Sequence, residues 1–480
     1  VLASLDGIVK HTNALLDLRC LNEQTAGEHG WMQSRDGKLY VPGNPLPFRG
    51  WSAGLRPFGF DYSVSNLAYT ARFYAKMGIN QVREMSDANA NIRPDPNAED
   101  LSLIKQDGLE KLHRLVAAMK QEGIYVTYCP WWIHNYRIMN NKTIPGYIGS
   151  GKPFFWRKDL QELAKGWYRQ ILTPTNPYTG ITLAQDPTLN IIELQNEENL
   201  LFYGLDPSCC DPATWRDLRR QFTTFVVDKY GSLTLAEAHW KLNAAERAAR
   251  IETSNGVAML QMPVSWEYGV WGLDQSPAQQ RFVADAMAFI THLERAYNDL
   301  IARYIKEDLG YTGLILGGNW RGADNVYLED LARWGTLPPH GDCIAYHQYS
   351  SSLCLTPDKP NIAGYAWGPG TYFVNSSILT KPIYIPTNFK RMRNVPMICT
   401  EMGLPAPNDY DLEGIMTCAA YGAMHDMDQI TWLQVCFMNW GYQCQFFNRF
   451  NHNWPHLIGQ FPAAALIFRW GYVREAPVVV

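Results

Sequence analysis

The chain has 480 residues, of which 46% are hydrophobic and 18% charged, enough apolar material for one large core or two ordinary ones. Its 42 Lys and Arg residues against 46 Asp and Glu residues give a formal net charge of -4. We therefore expect neither nucleic acid nor a membrane as a partner, since no cationic excess exists to neutralise either. Ten cysteines are too few for a disulfide scaffold in a chain of this length, so the composition favours an ordinary globular protein.

Eight short apolar runs, each bounded by turn residues, recur along the chain. They predict strands over 48–51, 80–85, 124–131, 190–195, 313–319, 343–349, 396–401 and 430–440. Amphipathic stretches predict helices over 64–78, 108–122, 157–172, 213–230, 277–309 and 412–427. Apolar strands that alternate with helices indicate a parallel sheet covered by helices. Eight such units favour a closed (β/α)8 TIM barrel, with an open doubly wound sheet as the alternative.

A minimal barrel needs about 250 residues, so roughly half of this chain must form loops and additions. We expect a single α/β catalytic domain over 1–475. It carries a long helical insertion at about 200–312, between strands four and five, because no Pro/Gly/Ser-rich linker brackets that segment. The last residues, 476–480, are predicted to be a tail that either packs on the barrel or begins a further domain.

Aromatic residues make up 13% of the chain, and many lie beside Gly, Pro or Asn rather than at core spacing. An aromatic face with a polar rim suits a sugar ring, whose C–H bonds stack on the aromatic plane. The alternative for each residue is ordinary packing under a long loop. We interpret five tryptophans as candidate sugar-binding residues: Trp131, Trp132, Trp320, Trp367 and Trp440.

Glutamate follows or ends two of the predicted strands. In a parallel barrel the substrate meets the protein at the carboxyl ends of the strands, where Asn196-Glu197 follows strand four and Glu401 ends strand seven. Cleavage of a glycosidic bond requires two carboxyl groups facing one cavity, one protonated and one ionised. Two neighbouring glutamates are weaker candidates. We expect Glu198 to point elsewhere, and Glu193 to lie deeper, where a carboxylate more often pairs with Arg or Lys.

The Asn196-Glu197 pair after one apolar strand, with Glu401 ending another, resembles the clan A superfamily of retaining glycoside hydrolases. That superfamily includes cellulase, mannanase and β-galactosidase families. The resemblance implies that Glu197 is the general acid/base and Glu401 the nucleophile. It also implies that Asn196 binds the sugar hydroxyl next to the cleaved bond.

Further residues match the clan at the ends of other strands. Arg83, at the end of strand two, resembles its arginine near the nucleophile. His347 and Tyr349, two positions apart on strand six and so on one face, resemble its His-x-Tyr pair. Trp440, after strand eight, resembles its sugar-stacking tryptophan. Each residue has an alternative, purely structural role: an ion pair for Arg83, a core histidine for His347 and a core aromatic for Trp440.

The resemblance implies a retaining β-glycoside hydrolase that cleaves a β-linked oligo- or polysaccharide by double displacement through a covalent glycosyl-enzyme. The glycan is then its partner, and neither a metal nor an organic cofactor is needed. Sequons at Asn141 and Asn375 favour a secreted, extracellular enzyme. Two alternatives stay open. One is a serine esterase, because Ser52 lies in a G-x-S-x-G pattern, although the flanking prolines disfavour the strand and helix that such a serine needs. The other is a barrel that binds a carbohydrate without cleaving it.

Overall fold

Eight parallel strands close into a barrel in the computed structural model. Each strand pairs with its neighbours in chain order, and the barrel closes where β8 pairs with β1. This closure confirms the predicted (β/α)8 class and excludes the open sheet. The strands are β1 (Gly50–Leu55), β2 (Gln81–Glu84), β3 (Tyr125–Tyr128), β4 (Leu189–Glu193), β5 (Leu314–Trp320), β6 (Cys343–Tyr349), β7 (Met397–Gly403) and β8 (Gln429–Leu433).

The structure describes most of the chain, with several gaps in sequence. The described ranges are 17–55, 60–85, 92, 100–130, 138–139, 148–149, 151–197, 200, 205–264, 267, 275–320, 342–350, 353–355, 360–361, 372–374, 377–382, 385–387, 394–406, 408–435 and 450–477.

All six predicted helices are present among these residues. The α-helices are α1 (Val64–Lys76), α2 (Gln106–Gln121), α3 (Lys158–Leu172), α4 (Pro212–Tyr230), α5 (Leu233–Trp240), α6 (Ala244–Arg250), α7 (Pro277–Arg303), α8 (Leu412–Met424), α9 (Pro455–Ile458) and α10 (Phe461–Arg469). The last turn of the predicted 277–309 helix is a π-helical segment, Tyr304–Asp308. None of the helices in the described part of the chain combines the length and apolar character that crossing a bilayer requires.

Short elements lie outside the barrel. Three two-stranded hairpins pair Gln33–Arg35 with Lys38–Tyr40, Ile138–Met139 with Ile148–Gly149, and Ile251–Ser254 with Val257–Leu260. A three-stranded sheet joins Leu353–Leu355, Pro360–Asn361 and Tyr372–Val374. Short 3-10 turns occur at Leu18–Leu21, Lys152–Phe155, Leu183–Gln185 and Pro207–Cys209.

The segment between β4 and β5, predicted as a helical insertion, contains α4 to α7 and one hairpin. Helix α4 begins at Asp211, whose carboxylate accepts hydrogen bonds from two backbone N–H groups of the first turn. Helix α6 begins with a reciprocal capping box between Asn243 and Glu246. Buried aromatic rings, among them Phe222 and Phe282, join α4 to α7. The division of the chain into domains stays a prediction.

The apolar core has two main parts. The larger lies between the strands and the helices that surround them. The smaller lies where the strands begin, and combines residues of β3 to β7 with four side chains that precede β1, namely Ala26, Met32, Leu39 and Val41. The chain's own early residues thus pack against the starts of the barrel strands.

Strands β5 and β7 each contain one extra residue relative to their neighbours. Between Leu316 and Asn319, β5 advances three residues while β6 advances two. Between Cys399 and Glu401, β7 advances two residues while β6 advances one. Such a bulge rotates the strand that carries it and redirects the side chains that follow. Asn319 and Glu401 come directly after these two irregularities.

His452 is a buried histidine at the carboxyl end of β7. Its ring packs against Trp432, with centroids 5.1 Å apart. A Cβ atom added at Gly403 would lie 2.5 Å from the His452 ring, so glycine permits this close packing. Burial lowers the pKa of His452 to about 4, because the site disfavours an imidazolium.

The low pKa of His452 predicts a pH-dependent loss of stability. An unfolded histidine takes up a proton near pH 6.5, whereas His452 stays neutral in the folded protein until about pH 4. Acidification between these values therefore favours the unfolded chain. Between pH 7 and pH 4.5, we expect the free energy of unfolding to fall by about 2 to 3 kcal/mol more in the wild type than in His452→Leu. Urea unfolding at both pH values measures this difference. Equal losses of stability in the wild type and His452→Leu would contradict the low pKa of His452.

Candidate active site

Arg83, near the end of β2, is fully buried between two carboxylates. Its Nε donates to Glu193 at 2.7 Å, and its Nη1 donates to Glu401 at 2.9 Å. Burial opposes the positive charge, but the attraction of Glu193 and Glu401 outweighs it, so the pKa of the Arg83 guanidinium lies well above its usual value. One cation thus holds two glutamates inside the carboxyl end of the barrel.

Glu401, on β7, is held by three groups from two other strands, β2 and β6. Its Oε1 accepts from Arg83, and its Oε2 accepts from the Tyr349 hydroxyl at 2.6 Å. His347 Nδ1 lies 3.5 Å from the same Oε2. The Glu401 side chain is 6% exposed. These contacts fix both carboxylate oxygens and favour the ionised form, because all of the groups named can donate a proton to a hydrogen bond.

Glu197, after β4, faces the same space with more solvent around it. Its Oε1 lies 2.6 Å from His347 Nδ1, and its side chain is 21% exposed. The ligand atoms of Glu197, His347 and Glu401 all lie within 4.8 Å of one another. Two carboxyl groups, one after β4 and one on β7, therefore lie close together, and an imidazole nitrogen contacts both.

Asn196 has an amide orientation that its neighbours determine. Its Oδ1 accepts from Arg83 Nη2 at 2.6 Å and from Asn319 Nδ2 at 3.1 Å. Because both partners are donors, the oxygen must occupy this position, and the NH2 group is on the other side. No described residue accepts a hydrogen bond from that NH2 group. It is therefore the part of Asn196 that can donate to a ligand.

Helix α7 anchors the backbone on both sides of the Asn196-Glu197 pair. Gln195 Nε2 donates to Asn298 Oδ1 at 3.0 Å, and the Leu200 N–H donates to the Glu294 carboxylate. Glu294 and Asn298 are one helical turn apart and both are buried. Neither residue was predicted from the sequence, nor was Asn319. Two polar residues one turn apart, among the mainly apolar residues of the helix's buried face, are the signal that was available.

Glu193 and Glu198 were the other candidates for the role predicted for Glu197. Glu193 pairs with Arg83 inside the barrel, which confirms the structural role predicted for a carboxylate at that depth. Glu198 lies outside the described residues. Four candidate sugar-binding tryptophans, Trp131, Trp132, Trp367 and Trp440, also lie outside them, as do the sequon asparagines Asn141 and Asn375. Trp320 is the last residue of β5, and its side chain is not described.

Two sequence expectations need correction. The strand predicted over 430–440 ends at Leu433, so Trp440 comes seven positions after β8 and not at its end. Ser52, the nucleophile of the esterase alternative, lies in the middle of β1 and is fully buried. Its Oγ has no hydrogen-bond partner in the described part of the chain, whereas an esterase serine needs a sharp strand-to-helix turn and a base. The interior of β1 supplies neither.

Two groups of described residues bring three metal-ligand side chains close together. One is Glu197, His347 and Glu401 itself. The other is Glu23, Glu28 and His29 before β1, where Glu28 and His29 are exposed. In the first group, Arg83 and Tyr349 bond to the Glu401 carboxylate, and His347 bonds to the Glu197 carboxylate.

Comparison with known proteins supports the fold. No protein-family model and no curated protein matches this sequence. Three similar solved structures are an endo-1,4-β-mannanase from Rhizomucor miehei (13% identity, TM-score 0.51, 91% of this chain and 99% of that one), an endo-β-1,4-mannanase from Thermotoga petrophila (14%, 0.50, 90% and 79%), and a glycoside hydrolase family 5 mannosidase from Rhizomucor miehei (13%, 0.50, 92% and 99%). At this level of identity, the likeness establishes a shared (β/α)8 barrel.

Removing Arg83 is predicted to destabilise the protein strongly, because Glu193 and Glu401 would remain buried without their cation. We expect Arg83→Met to lower the free energy of unfolding by about 3 to 5 kcal/mol. Adding Glu193→Gln should recover part of that loss, since it removes one of the two stranded charges. Urea denaturation of the single and double variants measures both effects.

Arg72 provides the matched control. It is also paired with a glutamate, Glu122 at 3.0 Å, but its side chain is 62% exposed. Arg72→Met should change the free energy of unfolding by less than about 1 kcal/mol. Equal losses in the two methionine variants would contradict a special role for the buried arginine.

Proposed function

We propose that this protein is a retaining β-glycoside hydrolase in which Glu401 is the nucleophile and Glu197 the general acid/base. The observation that carries the proposal is the approach of their carboxylate oxygens to within 4.8 Å of each other. Retaining enzymes hold their two carboxyl groups about 5 to 5.5 Å apart, whereas inverting enzymes leave about 6.5 to 9.5 Å for a water molecule. The spacing here supports direct attack by one carboxylate.

The different surroundings of the two carboxylates support the assignment of roles. Glu401 accepts hydrogen bonds from Arg83 and Tyr349, an environment that keeps it ionised and fixed for attack. Glu197 has no such cation within hydrogen-bond distance among the described residues, and it is the more exposed of the two. It can therefore exchange its proton with the leaving group and with water.

The reaction then proceeds in two steps. In the first, a Glu401 oxygen forms a bond to the anomeric carbon, and the bond from that carbon to the leaving oxygen breaks as Glu197 gives the oxygen its proton. In the second, Glu197 takes a proton from water, the water oxygen bonds to the anomeric carbon, and Glu401 is released as a carboxylate. The Asn196 NH2 group is placed to donate to the hydroxyl next to that carbon.

The proposed substrate class is a β-linked oligo- or polysaccharide. The solved structures that share the barrel are named as two mannanases and a mannosidase, so β-mannosides are the first substrates to test. Aryl β-mannosides, β-glucosides and β-galactosides, followed by the corresponding polysaccharides, would identify the sugar. Product sizes would show whether cleavage is internal or terminal.

Azide rescue of two variants tests the roles of the glutamates. With a 2,4-dinitrophenyl β-glycoside, Glu197→Ala should still form the glycosyl-enzyme, and azide should then give the β-glycosyl azide. Glu401→Ala cannot form that intermediate, so azide should attack directly and give the α-glycosyl azide. We expect each variant to lose at least about a hundredfold in kcat without azide. NMR of the products identifies the anomer.

A surface glutamate provides the control for this experiment. Glu162→Ala, on α3, removes a carboxylate that is 69% exposed and should leave activity unchanged. Wild-type rates in both active-site variants would instead indicate a barrel that binds carbohydrate without cleaving it through these groups. The same anomer from both variants would reject the assigned roles.

A further inference from the structure

Asn319 connects the site's three polar residues on the β4 side. It lies near the end of β5, directly after the extra residue of that strand, and is 2% exposed. Its Oδ1 accepts from the Glu197 backbone N–H at 2.8 Å, and its Nδ2 donates to Asn196 at 3.1 Å and to the Glu193 carboxylate. A single planar amide thus satisfies one donor and two acceptors.

The Glu197 backbone is in a conformation that needs such support. Its φ angle is 49°, in the left-handed region that non-glycine residues seldom adopt. This conformation costs about 1 to 2 kcal/mol and persists only where surrounding contacts determine it. Asn319 supplies the hydrogen bond at that peptide, and Asn196 and Asn319 also form a backbone bridge between the two strands.

The direction of the Glu197 side chain follows from this peptide. The backbone angles at Glu197 set where its Cα–Cβ bond points, and so where the carboxyl group lies relative to Glu401 and to a bound substrate. A proton is transferred efficiently only when the acid lies within hydrogen-bond reach of the leaving oxygen. An error of about 1 Å in that position can lower the rate a hundredfold.

We propose that Asn319 is a positioning residue for Glu197, holding the acid/base carboxyl in line with the leaving oxygen through the Glu197 peptide N–H. This inference rests on the proposed glycosidase function. Asn319 contacts neither of the reacting carboxylates. Other polar side chains fit this position less well: serine lacks the second donor, and aspartate would place a carboxylate against Glu193.

Leaving-group dependence separates positioning of the acid from general structural damage. A 2,4-dinitrophenolate departs without a proton, whereas an alkyl alcohol or a sugar needs one. We expect Asn319→Ala to lower kcat/KM for a glycoside with an alkyl or sugar leaving group by about 30-fold or more. The value for the 2,4-dinitrophenyl glycoside should change by less than about threefold. Asn319→Ser, which keeps a hydroxyl in the site, is tested in parallel in case the alanine variant does not fold.

Asn190→Ala is the matched control. Asn190 is also a fully buried asparagine on a neighbouring strand, but its amide bonds to Gln81 and Met32 deeper in the barrel. Asn190→Ala should lower the melting temperature about as much as Asn319→Ala does, but it should lower kcat/KM for the two glycosides equally. Equal losses on both substrates in the Asn319 variants would mean a structural role and overturn the inference, as would no loss on either.

Glu197→Ala distinguishes failure of this inference from failure of the proposed function. If Glu197 is the acid, Glu197→Ala must show the same leaving-group selectivity, more strongly. Selectivity in Glu197→Ala without selectivity in the Asn319 variants would reject only the positioning role. Absence of selectivity in Glu197→Ala would reject the assignment of the acid itself, and this inference with it.

Discussion

The candidate site depends on one buried guanidinium shared by two carboxylates. Arg83 is the cation that allows Glu193 and Glu401 to be ionised inside the barrel, where an unpaired charge would be too costly to bury. The sharing also matters along the proposed reaction. When Glu401 becomes an ester it loses its charge, but Arg83 keeps Glu193 as a partner and is not left unpaired. The same guanidinium orients the Asn196 amide, so one side chain sets the geometry of Glu401 and Asn196 together.

The fold delivers these groups through departures from regular strand geometry. Extra residues in β5 and β7 redirect Asn319 and Glu401. Glu197 has a left-handed backbone, and its carboxyl group lies near Glu401. Helix α7, which belongs to the long segment between β4 and β5, fixes the chain on either side of Glu197. That segment therefore supports the site as well as enlarging the protein. At the other end, residues that precede β1 pack against the starts of the strands, whereas the candidate site lies at the carboxyl ends, where parallel barrels bind their ligands.

Apolar runs and amphipathic stretches were sufficient to predict the barrel, because burial on both faces of a parallel strand leaves a continuous apolar signal. Glu197, Glu401, Arg83, His347 and Tyr349 could be selected because they follow or end such strands in a recognisable order, and the structure brings all five together. Asn319 could not. Counted by alternation from the inward-facing Leu314 and Leu316, position 318 should face the barrel interior and 319 should face away, and only the bulge reverses this. The end of β8 was also misjudged, since the apolar and aromatic character of the sequence continues past Leu433 where the strand does not.

The central claim is that Glu401 forms a covalent bond to a sugar while Glu197 lies opposite it. Incubation with a 2-deoxy-2-fluoro β-glycoside carrying a 2,4-dinitrophenyl leaving group, followed by proteolysis and mass spectrometry, tests this most directly. The account predicts a single stable adduct on the peptide that contains Glu401, and no adduct in Glu401→Ala. Label on a different residue, or steady turnover with no adduct at any time, would contradict it.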